Sequence, residues 1–213
     1  ICFSPTHSSH MVGETIMRGL YVDNASETDL TYEGRVGALD IHKTITVIVV
    51  PVYGGRIAET ALERMKDIHG YDSPAVPVVV YGNRDYDDAL LELRDWCNEH
   101  GFVPVAAAAF IGEHSYSRPD RPIAAHRPDE DDLQKALQFG QQIRNNLLGM
   151  NDLNTLGELK VKGGFPYKMK GPKTPQAPVT LVDLCTRCGF CIEICPVQAI
   201  RLEEEIVSDP ESC

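Results

Sequence analysis

Four cysteines within eleven residues, Cys185, Cys188, Cys191 and Cys195, followed at once by Pro196, restrict this chain more than any other feature of it. Two residues separate Cys185 from Cys188 and Cys188 from Cys191, and three separate Cys191 from Cys195. At that spacing each thiolate reaches a different corner of one iron–sulfur cube, while backbone amides between them point at its sulfurs. The proline turns the fourth cysteine away, which suits a second cluster. Zinc is the alternative for clustered thiols, but it favours two ligand pairs separated by a longer loop. The run therefore predicts a 4Fe-4S site.

The remaining composition narrows the setting. Seven cysteines, five of them crowded after residue 184, do not make the framework of a disulfide-stapled secreted domain. Cys2 and Cys97 stand alone in apolar surroundings and read as ordinary buried thiols. Clusters and free thiols survive best under reduction, so the cytoplasm is the expected compartment. A net charge of −11 argues against nucleic acid and against an anionic membrane surface as partners. No apolar run approaches the roughly 18 residues of a membrane span. The sequence opens at Ile1 inside a strand-like stretch, without a start methionine or signal peptide, so a few residues are expected to precede it.

Residues 1–150 alternate short apolar runs with amphipathic helical patterns, which predicts an α/β domain built on a parallel sheet. Strands are expected at residues 1–3, 44–50, 76–81 and 102–110, with a weakly marked edge strand at 28–32. The run Thr44-Ile45-Thr46-Val47-Ile48-Val49-Val50 is apolar on both faces and rich in β-branched residues, as a central parallel strand requires. Helices are expected at 11–21, 58–68, 88–100 and 129–148. Residues 151–178 lack a clear pattern, carry several lysines between 160 and 173, and read as a linker. Its lysines have an alternative use, covering a cofactor mouth or meeting an acidic partner.

Three strand ends empty into loops of unusual composition, where open parallel sheets bind ligands. The first carries hydroxyls on Ser4, Thr6, Ser8 and Ser9 at a helix start, a setting that favours an anion; a hydroxyl-rich helix cap is the plain alternative. The second, Pro51-Val52-Tyr53-Gly54-Gly55, lets backbone approach a flat ring closely because its glycines carry no side chain. The third, Gly82-Asn83-Arg84-Asp85-Tyr86, offers an aromatic to stack on the same ring. Glu113 and His114, behind the last strand, either reach this pocket or tie down their own loop.

In that order the three loops resemble the phosphate loop and the two ring-flanking loops of flavodoxins, and the cysteine run resembles that of bacterial ferredoxins. The whole chain looks like a flavodoxin–ferredoxin fusion of the ferrodoxin type. The resemblance implies a doubly wound, five-stranded parallel sheet over residues 1–150, a linker at 151–178 and a ferredoxin-type domain at 179–213. It implies FMN with its phosphate on Ser4, Thr6, His7, Ser8 and Ser9. The ring would lie between Pro51, Val52, Tyr53, Gly54 and Gly55 on one side and Gly82, Asn83, Arg84 and Tyr86 on the other. His7 departs from the family, which usually has glycine there, and a left-handed histidine is costly.

The resemblance also gives Cys213 a role, as the first cysteine of a second run. Cys185, Cys188 and Cys191 would serve one cube, whose fourth ligand lies beyond residue 213, while Cys195 and Cys213 serve the other; two cubes are implied in all. The implied function is electron transfer between FMN and 4Fe-4S clusters, with redox proteins as partners and a homodimer left open. The alternative is a flavin-dependent reductase of a small quinone or nitro compound, fed by its clusters.

Overall fold

Two β-branched runs, each apolar on both faces, fix the centre of the molecule. A computed structural model describes residues 1–32, 37–150, 152–172 and 174–213. In chain order it contains α1 (Ser8–Leu20), β1 (Leu39–His42), β2 (Thr46–Tyr53), β3 (Arg56–Ile57), α2 (Glu59–Met65), β4 (Ile68–Tyr71) and β5 (Ser73–Tyr81). These are followed by α3 (Ala89–Glu99), β6 (Phe102–Pro104), β7 (Ala108–Ile111), α4 (Glu130–Leu148), α5 (Phe190–Glu193), β8 (Ile200–Leu202) and β9 (Ile206–Ser208).

β2 and β5 run parallel, with Val49 opposite Val78 and Val50 opposite Val79. β5 continues the parallel array through β6 and β7, which pair with its two halves. On the other side of β2, Cys2 bridges to both Val49 and Asp29 in parallel sense. Its amide donates to Thr28, the amide of Leu30 donates back to Cys2, and the amide of Phe3 donates to Val49. Numbering the parallel segments along the chain, their order across the sheet is 2-1-3-4-5, the doubly wound order of the flavodoxin-like fold. The fold is α/β, as the alternation predicts.

Alternate side chains along each central strand feed two cores. Ile48, Val50, Ala75 and Val79 pack with Ala61, Met65, Leu93, Trp96 and Cys97 from α2 and α3. Val47, Val49, Val76, Val78 and Val80 pack with Val12, Ile16, Ala136 and Ile143 from α1 and α4. Each strand is therefore covered on both faces, the arrangement parallel sheets require.

Several details differ from the sequence reading. The strand expected over 102–110 is interrupted between Pro104 and Ala108, since proline brings no amide to the ladder. The helix expected over 58–68 stops at Met65, because Ile68–Tyr71 instead forms β4, parallel to β1. Ile68 and Gly70 point inward from β4, and a Cβ on Gly70 would lie 2.5 Å from the Phe102 ring. No described helix is long and apolar enough to cross a membrane.

Candidate functional site

Sheet geometry brings the three loops together. A cleft of about 550 Å³ opens at the carboxyl ends of β2, β5 and β7, within the roughly 300–1,000 Å³ typical of ligand sites. Thr6, Ser8, Ser9, Pro51, Val52, Tyr53, Gly54, Gly55, Gly82 and Arg84 line it. Ser4, His7, Asn83 and Tyr86 do not. A larger cavity of about 700 Å³ lies at the amino ends of the strands, between Ile1, Glu27, Ile41 and Thr46, away from these loops.

The first loop is shaped by its own hydrogen bonds. The Ser4 amide donates to Thr31 Oγ1 at 2.9 Å, and Ser4 Oγ accepts from the His10 amide at 3.0 Å. Ser4 thus holds the turn into α1, which explains why it sits 8 % exposed beneath the cleft. His7 caps α1 in the left-handed region at φ 64°, without a side-chain cap hydrogen bond. The left-handed cost foreseen for this histidine is therefore borne, and the loop keeps the sharp turn that aims Ser8 and Ser9 at the cleft. No acidic residue occupies the first turn of α1, so the positive end of the helix dipole is unopposed there.

The second loop turns through Gly54 and Gly55, both left-handed, with β3 folding back antiparallel onto β2. A Cβ on Gly55 would come within 2.2 Å of Asp87 Oδ2, whereas one on Gly54 would meet nothing within 4 Å. Gly55 is required by the neighbouring loop, and Gly54 leaves open space on the cleft side. Tyr53 stands 48 % exposed on the rim.

Tyr86 has a different task from the stacking foreseen for it. Its ring packs edge-on against Tyr81 at 5.2 Å, and Lys162 lies 4.8 Å above it. Tyr116, 74 % exposed and 5.2 Å from His114, lines the cleft together with Tyr53 and Tyr81. The alternating strand pattern ended before residue 112, and only the loop composition hinted at a role for this tyrosine. His114 lies flat on the Gly82 backbone, where a Cβ would meet its ring at 2.3 Å. Its Nδ1 accepts the Tyr116 amide at 3.0 Å, which fixes the tautomer with the proton on Nε2. Glu113 is engaged in tying the loop. It accepts the His126 amide at 2.8 Å, and that bond with the one from the Ser117 hydroxyl holds its carboxyl below the ordinary range.

Beside the cleft, residues 158–170 form a strap rather than a free linker. Asp88 accepts the amides of Gly164 and Lys168 at 2.8 and 2.6 Å. Lys162 pairs with Asp85 at 2.7 Å, and Lys168 with Asp87 at 2.6 Å. Tyr167 donates to Asp95 at 2.5 Å and lies under the Arg56 guanidinium, which in turn grips the buried Glu92. Lys162 and Lys168 are therefore spent on the acids that open α3, while Lys170 pairs with Glu59 of α2 at 3.1 Å. Lys173 lies outside the described residues.

Downstream, Cys185, Cys191 and Cys195 are half-buried and Cys188 and Cys213 exposed, all as free thiols. Among the described residues no three Cys, His, Asp or Glu side chains converge closely enough to hold a metal ion. The local backbone nonetheless suits a cube. Arg187 and Gly189 are left-handed at φ 55° and 80°, which curls the chain and turns amides toward sulfur. Hydrogen bonds from the Phe190 amide and the Thr186 hydroxyl lower the pKa of Cys188, and Cys195 Sγ accepts the Ala199 amide at 3.3 Å. Thiolate is the form that binds iron.

Residues 178–201 match the family of 4Fe-4S binding domains. The match takes in Cys185, Cys188, Cys191 and Cys195 and stops short of Cys213. The chain thus combines a flavodoxin-like fold with a C-terminal iron–sulfur segment. Among solved structures, a flavodoxin from the domain Archaea is similar at 15 % identity and a TM-score of 0.38, over 67 % of this chain and 92 % of that one. That likeness is too slight to carry an argument; the strand order does so instead. No curated protein matches the chain.

Proposed function

We propose that the chain is an electron-transfer protein that holds FMN in the cleft and 4Fe-4S chemistry on its cysteine run. One observation carries the reading. Three loops far apart in sequence, each at a strand end, converge on a single cleft, in a chain that also matches the 4Fe-4S binding family. Flavin exchanges one or two electrons and a cube exchanges one, so the pair converts between the two regimes.

The residues present suit the group. Thr6, Ser8 and Ser9 would hold the phosphate with hydroxyls and with the amides that open α1, where the dipole favours negative charge. Gly54 leaves room for backbone to approach a ring, and Tyr53 and Tyr116 offer two exposed aromatic faces. His114 Nε2–H is the one donor on the far rim whose direction a hydrogen bond already fixes. The cysteine run would hold the cube, with Gly189 and the amides around it tuning the sulfurs. Residues 1–150 form the flavin unit in this reading and 179–213 the iron–sulfur unit. The strap supports reading the segment between them as in part an extension of the first. A reducing compartment such as the cytoplasm, and redox proteins as partners, complete the reading.

Titration of the anaerobically purified protein with FMN tests it. One equivalent is expected to bind with quenching of flavin fluorescence. Tyr53→Ala and Tyr116→Ala should each weaken binding about 2- to 12-fold, the worth of ~0.5–1.5 kcal/mol of stacking. Tyr86→Ala should leave the affinity within twofold. Absence of saturable FMN binding, or an effect confined to Tyr86, would refute the assignment of the cleft.

A further inference from the structure

We infer that Arg64 is the clamp that docks the iron–sulfur segment on the α/β domain. It stands in the last turn of α2, half-buried, where a cation would ordinarily serve its own helix carbonyls. Instead it reaches two other segments. Nη2 donates to the carbonyl of Pro196 at 2.5 Å. Nη1 donates to the carbonyls of Leu30 and Thr31 at 2.9 and 2.6 Å. The guanidinium lies 5.8 Å over the Phe3 ring, which closes its apolar side.

Both ends of this clamp are anchored. The Leu30 amide is in the sheet, bonded to Cys2, and Thr31 Oγ1 accepts the Ser4 amide at the turn into α1. On the other side, Pro196 directly follows Cys195, whose sulfur accepts the Ala199 amide. Ala199 is 2 % exposed, and its carbonyl accepts the Asp209 amide. A cation at Arg64 therefore joins the turn after the fourth cysteine to the Leu30–Thr31 segment, which in turn holds the Ser4 turn into α1. The guanidinium meets all three carbonyls from two nitrogens held in a rigid, planar fork; lysine has three donors on a single nitrogen at the end of a flexible stem and holds such a set less firmly. The docking contact does not depend on what the cleft holds, and only its consequence for electron transfer rests on the reading above. That consequence is a fixed separation between the cysteine run and the cleft.

Hydrogen–deuterium exchange on the anaerobically isolated chain and its Arg64→Ala, Arg64→Gln and Arg64→Lys variants tests the clamp. In Arg64→Ala the amides of residues 197–201 and 30–32 should exchange roughly 10- to 100-fold faster, as a charge-assisted hydrogen bond is lost. Exchange in α3 and α4 should stay as in the wild type, and Arg64→Lys should restore protection only in part. Arg64→Gln gives the same reading if the alanine variant folds poorly. Unchanged protection at 197–201 would overturn the clamp whether or not FMN binds. Faster exchange there in protein that binds no FMN would uphold the clamp while removing the proposed function. In protein loaded with both groups, Arg64→Ala should slow transfer between cluster and flavin at unchanged flavin and iron content. Slower transfer with unaltered exchange would also count against the clamp.

Discussion

Helices α1 and α4 meet at a crossing with no side chain on either side, and Gly140→Ala should disrupt it. A Cβ on Gly140 would lie 2.2 Å from the Ile16 carbonyl oxygen and 3.0 Å from Gly19 Cα. The reciprocal Cβ on Gly19 would lie 2.2 Å from the Leu137 carbonyl oxygen. Both obstacles are backbone, so no rotamer relieves them and the helices must move apart by about an ångström to restore ordinary packing. Overpacking of this kind costs ~1–3 kcal/mol, and a collision with main chain belongs near the upper figure. Alanine recovers about 1 kcal/mol of helix propensity, which leaves a net loss of about 2 kcal/mol. For a chain of this size that is a fall in Tm of roughly 4–8 °C. Gly149→Ala, at the end of the same helix, is the control. Its φ is −91° and its Cβ would meet nothing nearer than 3.8 Å, so it should be neutral or stabilise by up to ~1 kcal/mol. Thermal and urea unfolding followed by circular dichroism reads both. The double variant Gly19→Ala with Gly140→Ala should cost less than the sum of the two, because helices already parted admit a second methyl. Equal stability of Gly140→Ala and Gly149→Ala would refute the close-crossing argument.

Thiol reactivity should split the cysteines. Burial pushes the Cys2 thiol up to about 12 and raises Cys97 further, so in iron-free native protein both should resist a disulfide reagent at pH 8 while the five downstream thiols react; fast labelling of Cys97 before unfolding would contradict its placement. A second prediction concerns acid. The Arg127 guanidinium holds the Asp132 carboxyl below its ordinary value, so this pair contributes stability above the unfolded-state pKa near 4 and loses it as pH falls through the folded value. Asp132→Asn should accordingly lower the urea midpoint at pH 7 and flatten its decline between pH 5 and pH 3; an unchanged pH profile would exclude the pair as a contributor. The strap gives a third. Asp88→Ala leaves the Gly164 and Lys168 amides without their acceptor, a local cost of ~1–3 kcal/mol, so trypsin should cut at Lys168 and Lys170 roughly 5- to 150-fold faster under native conditions, and an unaltered digestion rate would show the strap to be held elsewhere.

The sequence made the central sheet legible because its strands are buried twice. Apolar residues at every position of 47–50 and 76–80 leave few structures other than a covered parallel sheet. The edges were harder to read. Leu39–His42 and Ile68–Tyr71 are four residues each, with charged or polar residues at alternate positions, and their pairing joins segments about 30 residues apart. Helical spacing in 58–68 masked β4, although the alternation of Ile68, His69, Gly70 and Tyr71 was a usable signal. Loop composition picked out three strand ends that meet at one cleft, yet composition cannot say which way a tyrosine points. Tyr86 turns inward because Tyr81 and Lys162 offer it contacts, and Lys162 is 76 residues further along the chain. The same distance hid the strap: its lysines were visible as a basic stretch, but nothing local marked Asp85, Asp87 and Asp88 as their partners.

Those partners bear on how the cleft treats charge. Arg84, the one Lys or Arg lining it among the described residues, is paired with Asp87 at 2.7 Å. Asp87 is shared with Lys168, and Asp85 is paired with Lys162. The ion pairs of this rim therefore close upon themselves and leave little net field to attract an anion. In a chain of net charge −11, a phosphate held there as proposed would instead have to be stabilised by short-range donors: the hydroxyls of Thr6, Ser8 and Ser9 and the amides at the start of α1. Such donors act over a hydrogen bond's length and in fixed directions, so a site of this kind would select by shape and by the angle of approach. The left-handed turn at His7 and the Ser4–Thr31 bond fix the backbone there, so under the proposed reading residues 4–9, more than any charged side chain, would decide what the cleft admits.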